Sequence, residues 1–249
     1  MARAITKAIL LAAGRGKRLG ALTERTPKPM IEVAGKPLLA HIIDALAARD
    51  VREIAIVTGY LATHIEEWCA CRMREDPALR LVTLHQAELN GTAAAMILAR
   101  NFVAEEAAFI FGWGDILMDV ENYARFVNAA RSETYDLMLA VNATHDPWRG
   151  AAVYVDKDMR VEKLVEKPAR GTSTTRWNNA GLFAATPLIF DYLERLKPSA
   201  RGELELPEAI AKMIADHRDV RAIDVRGFWS DVGNPEDLES ARRLFIPPH

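Results

Sequence analysis

Residues 11–30 read Leu11-Ala12-Ala13-Gly14-Arg15-Gly16-Lys17-Arg18-Leu19-Gly20-Ala21-Leu22-Thr23-Glu24-Arg25-Thr26-Pro27-Lys28-Pro29-Met30, and an apolar run over residues 5–11 leads into them. The run has the length and texture of a buried strand, and the glycine-rich stretch that of a loop leaving it. Glycine permits positive φ and carries no Cβ, so backbone N–H groups in such a loop can approach phosphate oxygens closely. Two known phosphate loops fail to match. The dinucleotide pattern requires G-x-G-x-x-G, but position 19 is leucine and prolines stand where its helix should run. Walker A requires Ser or Thr after Gly-Lys, but Arg18 follows Lys17.

Outward from the loop, residues 37–49 predict an amphipathic helix with Leu38, Leu39, Ile42, Ile43 and Leu46 on one face. Strands are expected over 53–58, 81–85 and 107–113, with helices over 63–74 and 92–99 between them. This alternation predicts an α/β, Rossmann-like fold: a mixed, mostly parallel central sheet with helices on both faces. Beyond Tyr135 come strand candidates at 136–142, 151–155, 161–166 and 181–185, helices at 188–196 and 205–217, a strand at 220–225 and a helix at 236–244. No repeat, low-complexity tract or linker interrupts the chain, which predicts one domain over 1–249.

Composition narrows the functional classes. The chain has 249 residues, of which 50% are hydrophobic and 27% charged, and its formal net charge is −2. No basic surface points to nucleic acid, so any phosphate binding has to be local. The apolar run before Gly14 is too short to span a bilayer, and charged residues follow it where a signal peptide would be cleaved. A cytoplasmic protein with neither nucleic-acid nor membrane partners is expected. Cys69 and Cys71 lie two apart in a predicted helix and so face nearly opposite ways, which argues for two reduced thiols.

In residues 11–30, Gly14, Gly16, Arg18, Leu19, Leu22, Thr23, Pro27, Lys28 and Pro29 share the spacing of a known opening motif. The stretch resembles the sugar-1-phosphate nucleotidyltransferases, glucose-1-phosphate thymidylyl- and uridylyltransferases in particular. Gln86 with Gly91-Thr92-Ala93, Gly114-Asp115, Gly150, Glu166-Lys167-Pro168, Asn179-Ala180-Gly181 and Trp229-Ser230-Asp231-Val232-Gly233-Asn234-Pro235 extend the resemblance over nearly the whole chain.

The resemblance implies a Mg²⁺-dependent enzyme that joins a nucleoside triphosphate, UTP or dTTP favoured, to a sugar 1-phosphate and releases pyrophosphate. It also implies a nucleotide-binding half over about 1–134 and a sugar-binding half over about 135–249. By position, Arg18 and Lys28 take the catalytic roles on the triphosphate. Leu11, Ala12, Ala13, Gly14, Gly16, Lys17, Gln86, Gly91 and Thr92 bind the nucleotide, with Gln86 reading the pyrimidine edge. Gly150, Glu166, Lys167 and Asn179 bind the sugar phosphate, and Asp115 and Asp231 bind Mg²⁺. The absence of a C-terminal β-helix extension implies a single activity, and relatives that assemble into dimers or tetramers make a homo-oligomer an open expectation.

The sequence departs from the family pattern at Lys17, a usually small or hydroxyl position; at Gly20-Ala21, usually a residue-proline pair; and at Ile116, usually asparagine. Taken one at a time, the same residues allow plainer readings. The basic loop could be solvated, Asp115 could cap a helix, Asp231 could be a turn aspartate, and Gln86 an ordinary exposed residue. Two other functions stay open: a cytidylyltransferase acting on choline phosphate or another small phosphorylated alcohol, and a non-catalytic regulatory module that binds nucleotide sugars.

Overall fold

The computed structural model describes residues 3–199 and 202–247. Strand β1 (Lys7–Leu11) leads into the glycine-rich loop, which carries the short helix α1 (Leu22–Arg25). A small hairpin, β2 (Glu32–Val33) and β3 (Lys36–Pro37), feeds helix α2 (Leu38–Ala47). Then follow β4 (Glu53–Thr58), α3 (Ala62–Glu75), β5 (Arg80–His85), α4 (Thr92–Leu98), β6 (Phe109–Trp113), β7 (Leu117–Met118) and α5 (Val120–Ser132). The remainder is β8 (Leu137–Ala143), β9 (Ala151–Val155), β10 (Val161–Glu166), β11 (Trp177–Ala185), α6 (Ile189–Leu193), α7 (Leu206–Ala215), β12 (Val220–Asp224), β13 (Trp229–Ser230) and α8 (Pro235–Leu244).

Period-two burial along β1 sets the layering. Ala8 and Leu10 join one apolar cluster, with Leu39, Ile42, Ile43 and Leu46 of α2, Ile65 and Cys69 of α3, and Phe126 and Val127 of α5. Ile9 points the other way into a second cluster, with Met96 of α4, Phe190 and Leu193 of α6, and Ile210 and Met213 of α7. The sheet is therefore buried on both faces, which is why β1 and β4 read as continuous apolar runs. β1 pairs in parallel with β4 and β6, and β4 in parallel with β5. The order β5-β4-β1-β6 then meets β11, which runs antiparallel to β6, and β8 and β12 extend the sheet beyond it.

β11 changes partner along one edge. Its residues 182–185 pair with β6, whereas Trp177 and Asn178 pair with β9. The handover falls at Gly181, whose φ is 82°. A Cβ there would collide with the Trp113 indole. Two expectations change at this level. β11 begins at Trp177 rather than Gly181, because hydrogen bonding to β8 and β9 carries the weak strand formers Asn178 and Asn179 into the sheet. Helix α5 occupies residues that the sequence reading leaves unassigned. Its buried Tyr123, Phe126, Val127 and Ala130 nonetheless follow helical spacing.

The handover predicts that Gly181→Ala costs about 2 kcal/mol or more, through left-handed backbone strain plus a clash in a packed core. Urea denaturation of the two proteins measures the difference.

Candidate active site

Strands β1, β5 and β6 end at the same edge of the sheet, so the loops that follow them converge. Open α/β sheets bind ligands at this edge. Together with the β8–β9 connection and the turn after β13, these loops surround a cleft of about 950 Å³. Leu11, Ala13, Gly14, Gly16, Lys17, Arg18, Lys28, Gln86, Gly91, Thr92, Asp115, Gly150, Glu166, Lys167, Asn179 and Asp231 all line it. Ala12 does not: it is 1% exposed beneath the loop, and its N–H donates to the Val57 carbonyl at 2.8 Å. As the residue that continues β1, it has its face turned into the core.

One end of the cleft concentrates charge. Lys28 is 7% exposed, and its Nζ lies 2.6 Å from Asp115 Oδ2 and donates to the Asp231 carbonyl at 2.6 Å. Lysine and carbonyl are 203 positions apart in the chain. Asp115 is no helix cap, since α5 starts only at Val120 with Asp119 at the capping position. Ile116 points into the core at 1% exposure, so no polar group stands where the family asparagine would. Burial raises the Asp231 carboxyl above its ordinary value of 3.8. Lys28 and Arg18 oppose that shift, while Asp115 and Asp237 reinforce it.

The Asp231 turn is strained. Val232 is fully buried and β-branched, yet holds φ at 43°. Its N–H donates to Ser230 Oγ at 3.0 Å, and the Gly233 N–H donates to Asp237 Oδ2 at 3.1 Å. The Val232 side chain packs with Leu19 of the glycine-rich loop and Leu238 of α8 in a third apolar cluster. The glycine-rich loop and the Asp231 turn are thus fastened to each other by packing. Cys69, remote from the cleft, is buried in the first cluster, which pushes its thiol up to about 12.

A second region surrounds Gln86, which is buried rather than exposed. Its Nε2 donates to the Gly91 carbonyl at 3.1 Å and to Asn90 Oδ1 at 3.2 Å. Gly91 has φ at 115°, and a Cβ there would strike the Leu204 carbonyl. The segment before α7 is tied down at the same place. The Leu204 N–H donates to the Asn90 carbonyl at 2.8 Å, and the Leu206 N–H to Thr92 Oγ1 at 3.0 Å. Arg15, which also lines the cleft, sets its guanidinium over the Tyr60 ring at 5.1 Å.

The third region lies where β9 and β6 part along β11. A Cβ on Gly150 would collide with Asn178 Oδ1. Asn178 Nδ2 donates to Asn142 Oδ1 at 2.9 Å, and Asn179 Oδ1 accepts from the Gly181 N–H at 3.0 Å. The Lys167 N–H donates to the Gly150 carbonyl at 2.7 Å, and Lys167 itself adopts φ of 44°. Its side chain stays half-exposed, 3.7 Å from Glu166.

Sequence reasoning passed over several residues that line this cleft, among them Arg15, Trp113, Asn142, Asn178 and Asp237. Asparagines within strands run against β propensity, and that anomaly could have flagged Asn142 and Asn178. Asp237 reads as an ordinary acid in the first turn of a helix, and nothing local distinguishes it.

Comparison with known proteins identifies the family. The profile of the nucleotidyl transferase family matches residues 7–245. The chain belongs to that family. The bifunctional protein GlmU of Methanocaldococcus jannaschii is 34% identical over 241 residues, which cover 96% of this chain and 54% of that protein. The mannose-1-phosphate guanylyltransferase catalytic subunit beta of Drosophila pseudoobscura is 28% identical over 244 residues, 97% of this chain and 62% of that protein. The chain thus spans about half the length of the GlmU proteins it matches. A crystal structure of UDP-glucose pyrophosphorylase complexed with UDP-glucose superposes with a TM-score of 0.84 at 18% identity, over 96% of this chain and 98% of that one. This last likeness is one of fold. Among the described residues, no helix of this family member is long and apolar enough to cross a membrane.

The raised Asp231 carboxyl has a consequence for stability. Its folded-state affinity for a proton exceeds that of the unfolded chain, so its contribution is greatest below the ordinary value of 3.8 and is lost as pH rises through the folded value. At neutral pH the buried charge is therefore a cost. Asp231→Asn is expected to melt at or above the wild-type temperature in chelator at pH 7, as read by calorimetry. A clear drop would show that Lys28 and Arg18 outweigh the burial.

Proposed function

We propose that this chain transfers a nucleoside monophosphate from a nucleoside triphosphate to a sugar 1-phosphate, releasing pyrophosphate. The observation that carries the reading is that Arg18, Lys28, Asp115 and Asp231 line the same cleft as Gln86 and Gly91 and as Gly150, Lys167 and Asn179, with Lys28 tied to both aspartate segments. The reaction needs a charge-neutralising centre with a base pocket on one side and an acceptor pocket on the other.

The acceptor brings its own nucleophile. A phosphate monoester has its second pKa near ~6, so at neutral pH it is mostly dianionic and needs no general base. A non-bridging oxygen of the sugar phosphate attacks the α-phosphorus, and the bond from that phosphorus to the bridging β-oxygen breaks, so pyrophosphate leaves with the electron pair. Arg18 and Lys28, with Lys167 on the acceptor side, are assigned to offset the repulsion between two anions and the charge that develops on the transferred group.

Asp115 and Asp231 suit a divalent cation. Both are hard oxygen donors opening on the cleft, and a cation, the Lys28 ammonium, already rests against Asp115. Mg²⁺ uses one or two carboxylates and completes its shell with phosphate oxygens and water, so two aspartates suffice. Held by Asp115 and Asp231, the metal would supply Lewis-acid charge withdrawal from the phosphates.

UTP or dTTP is the favoured donor. With both amide hydrogens of Gln86 turned toward Asn90 Oδ1 and the Gly91 carbonyl, the side chain presents its oxygen as an acceptor. Uracil and thymine offer an N3–H donor to such an oxygen, whereas cytosine offers a lone pair there.

The test is pyrophosphate release with Mg²⁺, crossing UTP, dTTP, CTP, ATP and GTP with a panel of sugar 1-phosphates and choline phosphate. Release should require both partners and be greatest with UTP or dTTP; release with CTP and choline phosphate alone would replace this reading. In the productive pair, Arg18→Ala should lower turnover by about 10²-fold or more with the fold intact by circular dichroism.

A further inference from the structure

The Lys28 ammonium rests on the carboxylate of Asp115, which the proposed function assigns to a divalent cation. Its Nζ contacts Asp115 Oδ2 at 2.6 Å and the Asp231 carbonyl at 2.6 Å, with its side chain 8% exposed. One ammonium thus ties the Asp115 carboxylate to the backbone of the Asp231 turn. Among the described residues, no third His, Cys, Asp or Glu joins them in a self-sufficient metal cluster. An ammonium and a divalent ion on the same carboxylate oxygen repel each other strongly in a partly desolvated site. A buried lysine also cannot leave its carboxylate without another anion, because an unpaired buried charge is heavily penalised.

We infer that Lys28 is the resident counter-ion of the cleft. It keeps divalent metal off Asp115 and Asp231 until a triphosphate gives its ammonium a new partner. This inference rests on the reading of Asp115 and Asp231 as the metal ligands. Metal and nucleotide binding are then coupled through one side chain. The triphosphate draws Lys28 away from Asp115 Oδ2, and the vacated oxygen accepts the metal that arrives with the phosphates.

The test uses Mn²⁺ alone, with no nucleotide, and follows free Mn²⁺ by electron paramagnetic resonance. Lys28→Met should bind Mn²⁺ more tightly than wild type by about tenfold or more, a usual size for coupling between two sites. Adding Asp115→Asn to Lys28→Met should abolish that gain. Mn²⁺ should also raise the melting temperature of Lys28→Met more than that of wild type, because a ligand stabilises the state it binds. Equal Mn²⁺ affinity in wild type and Lys28→Met, or a gain that survives Asp115→Asn, overturns the inference. So does tight Mn²⁺ binding to the nucleotide-free wild type, a result that needs no variant to fold. None of these outcomes depends on turnover, so the exchange can fail while nucleotidyl transfer stands, or hold where the substrate panel stays silent.

Discussion

Strand β11 has two partners on one edge, and the cleft exists because a strand edge cannot hold both at the same residues. Ladder hydrogen bonds bring neighbouring strands to about 4.8 Å, so β6 and β9 each pull a different segment of β11 toward themselves. Between the segments the chain turns through left-handed backbone at Gly181, and the Trp113 indole fills the space a Cβ would have taken. One group of cleft residues depends on this division. Gly150 precedes β9, Lys167 follows β10, and the three asparagines lie along β8 and β11 near the fork. The parallel strands β1, β5 and β6 deliver the glycine-rich loop, Gln86 and Asp115 to a shared rim. A purely parallel sheet would have supplied that rim and no fork beside it.

Charge at the rim is held by packing. The third apolar cluster joins Leu19, Ile31 and Leu38 to Val232, Leu238 and Phe245, so the phosphate loop and the chain's last helix share one small core. That core offsets the strain of Val232, for which left-handed backbone costs on the order of 1–3 kcal/mol. The strained turn gives Asp231 its place beside Lys28. Strain of this kind persists only where the surroundings over-determine it, and here the Ser230 hydroxyl and the cluster act on Val232 while the Asp237 carboxylate holds Gly233 beside it.

Much of this organisation could be read from the sequence, and the unread parts share a physical cause. The alternation that specifies a mostly parallel sheet is a local signal, as are the glycine spacing of residues 14–20 and the apolar stripes of α2 and α7. Strand β11 was legible only from Gly181 onward. The apolar run Leu182–Ala185 declares itself, whereas Asn178 and Asn179 are strand residues only because β8 and β9 pair with them. Ala12 sits within the motif yet faces the core, a matter of one residue's phase on a strand that spacing arguments cannot resolve. The contact of Lys28 with Asp115 and the Asp231 carbonyl is a tertiary fact: three segments distant in sequence had to fold before the ammonium had a partner.

A chain of net charge −2 has no long-range field to draw in a polyanion. Under the proposed function, affinity for phosphate has to come from concentrating cations locally, and Arg15, Lys17, Arg18 and Lys28 all line the cleft. Such a concentration would be unstable if the cations faced only one another. Arg15 rests on the Tyr60 ring, and Lys28 is neutralised by Asp115. Asp115 is thereby a counter-charge that lets a basic side chain stay buried, whereas the Asp231 carboxyl, raised by burial, is held in place at a cost. The carboxylate oxygen that would serve a divalent cation under the proposed function is thus already matched to a positive charge, which is why a site of this kind can sit half-buried in a stable fold with no ligand bound.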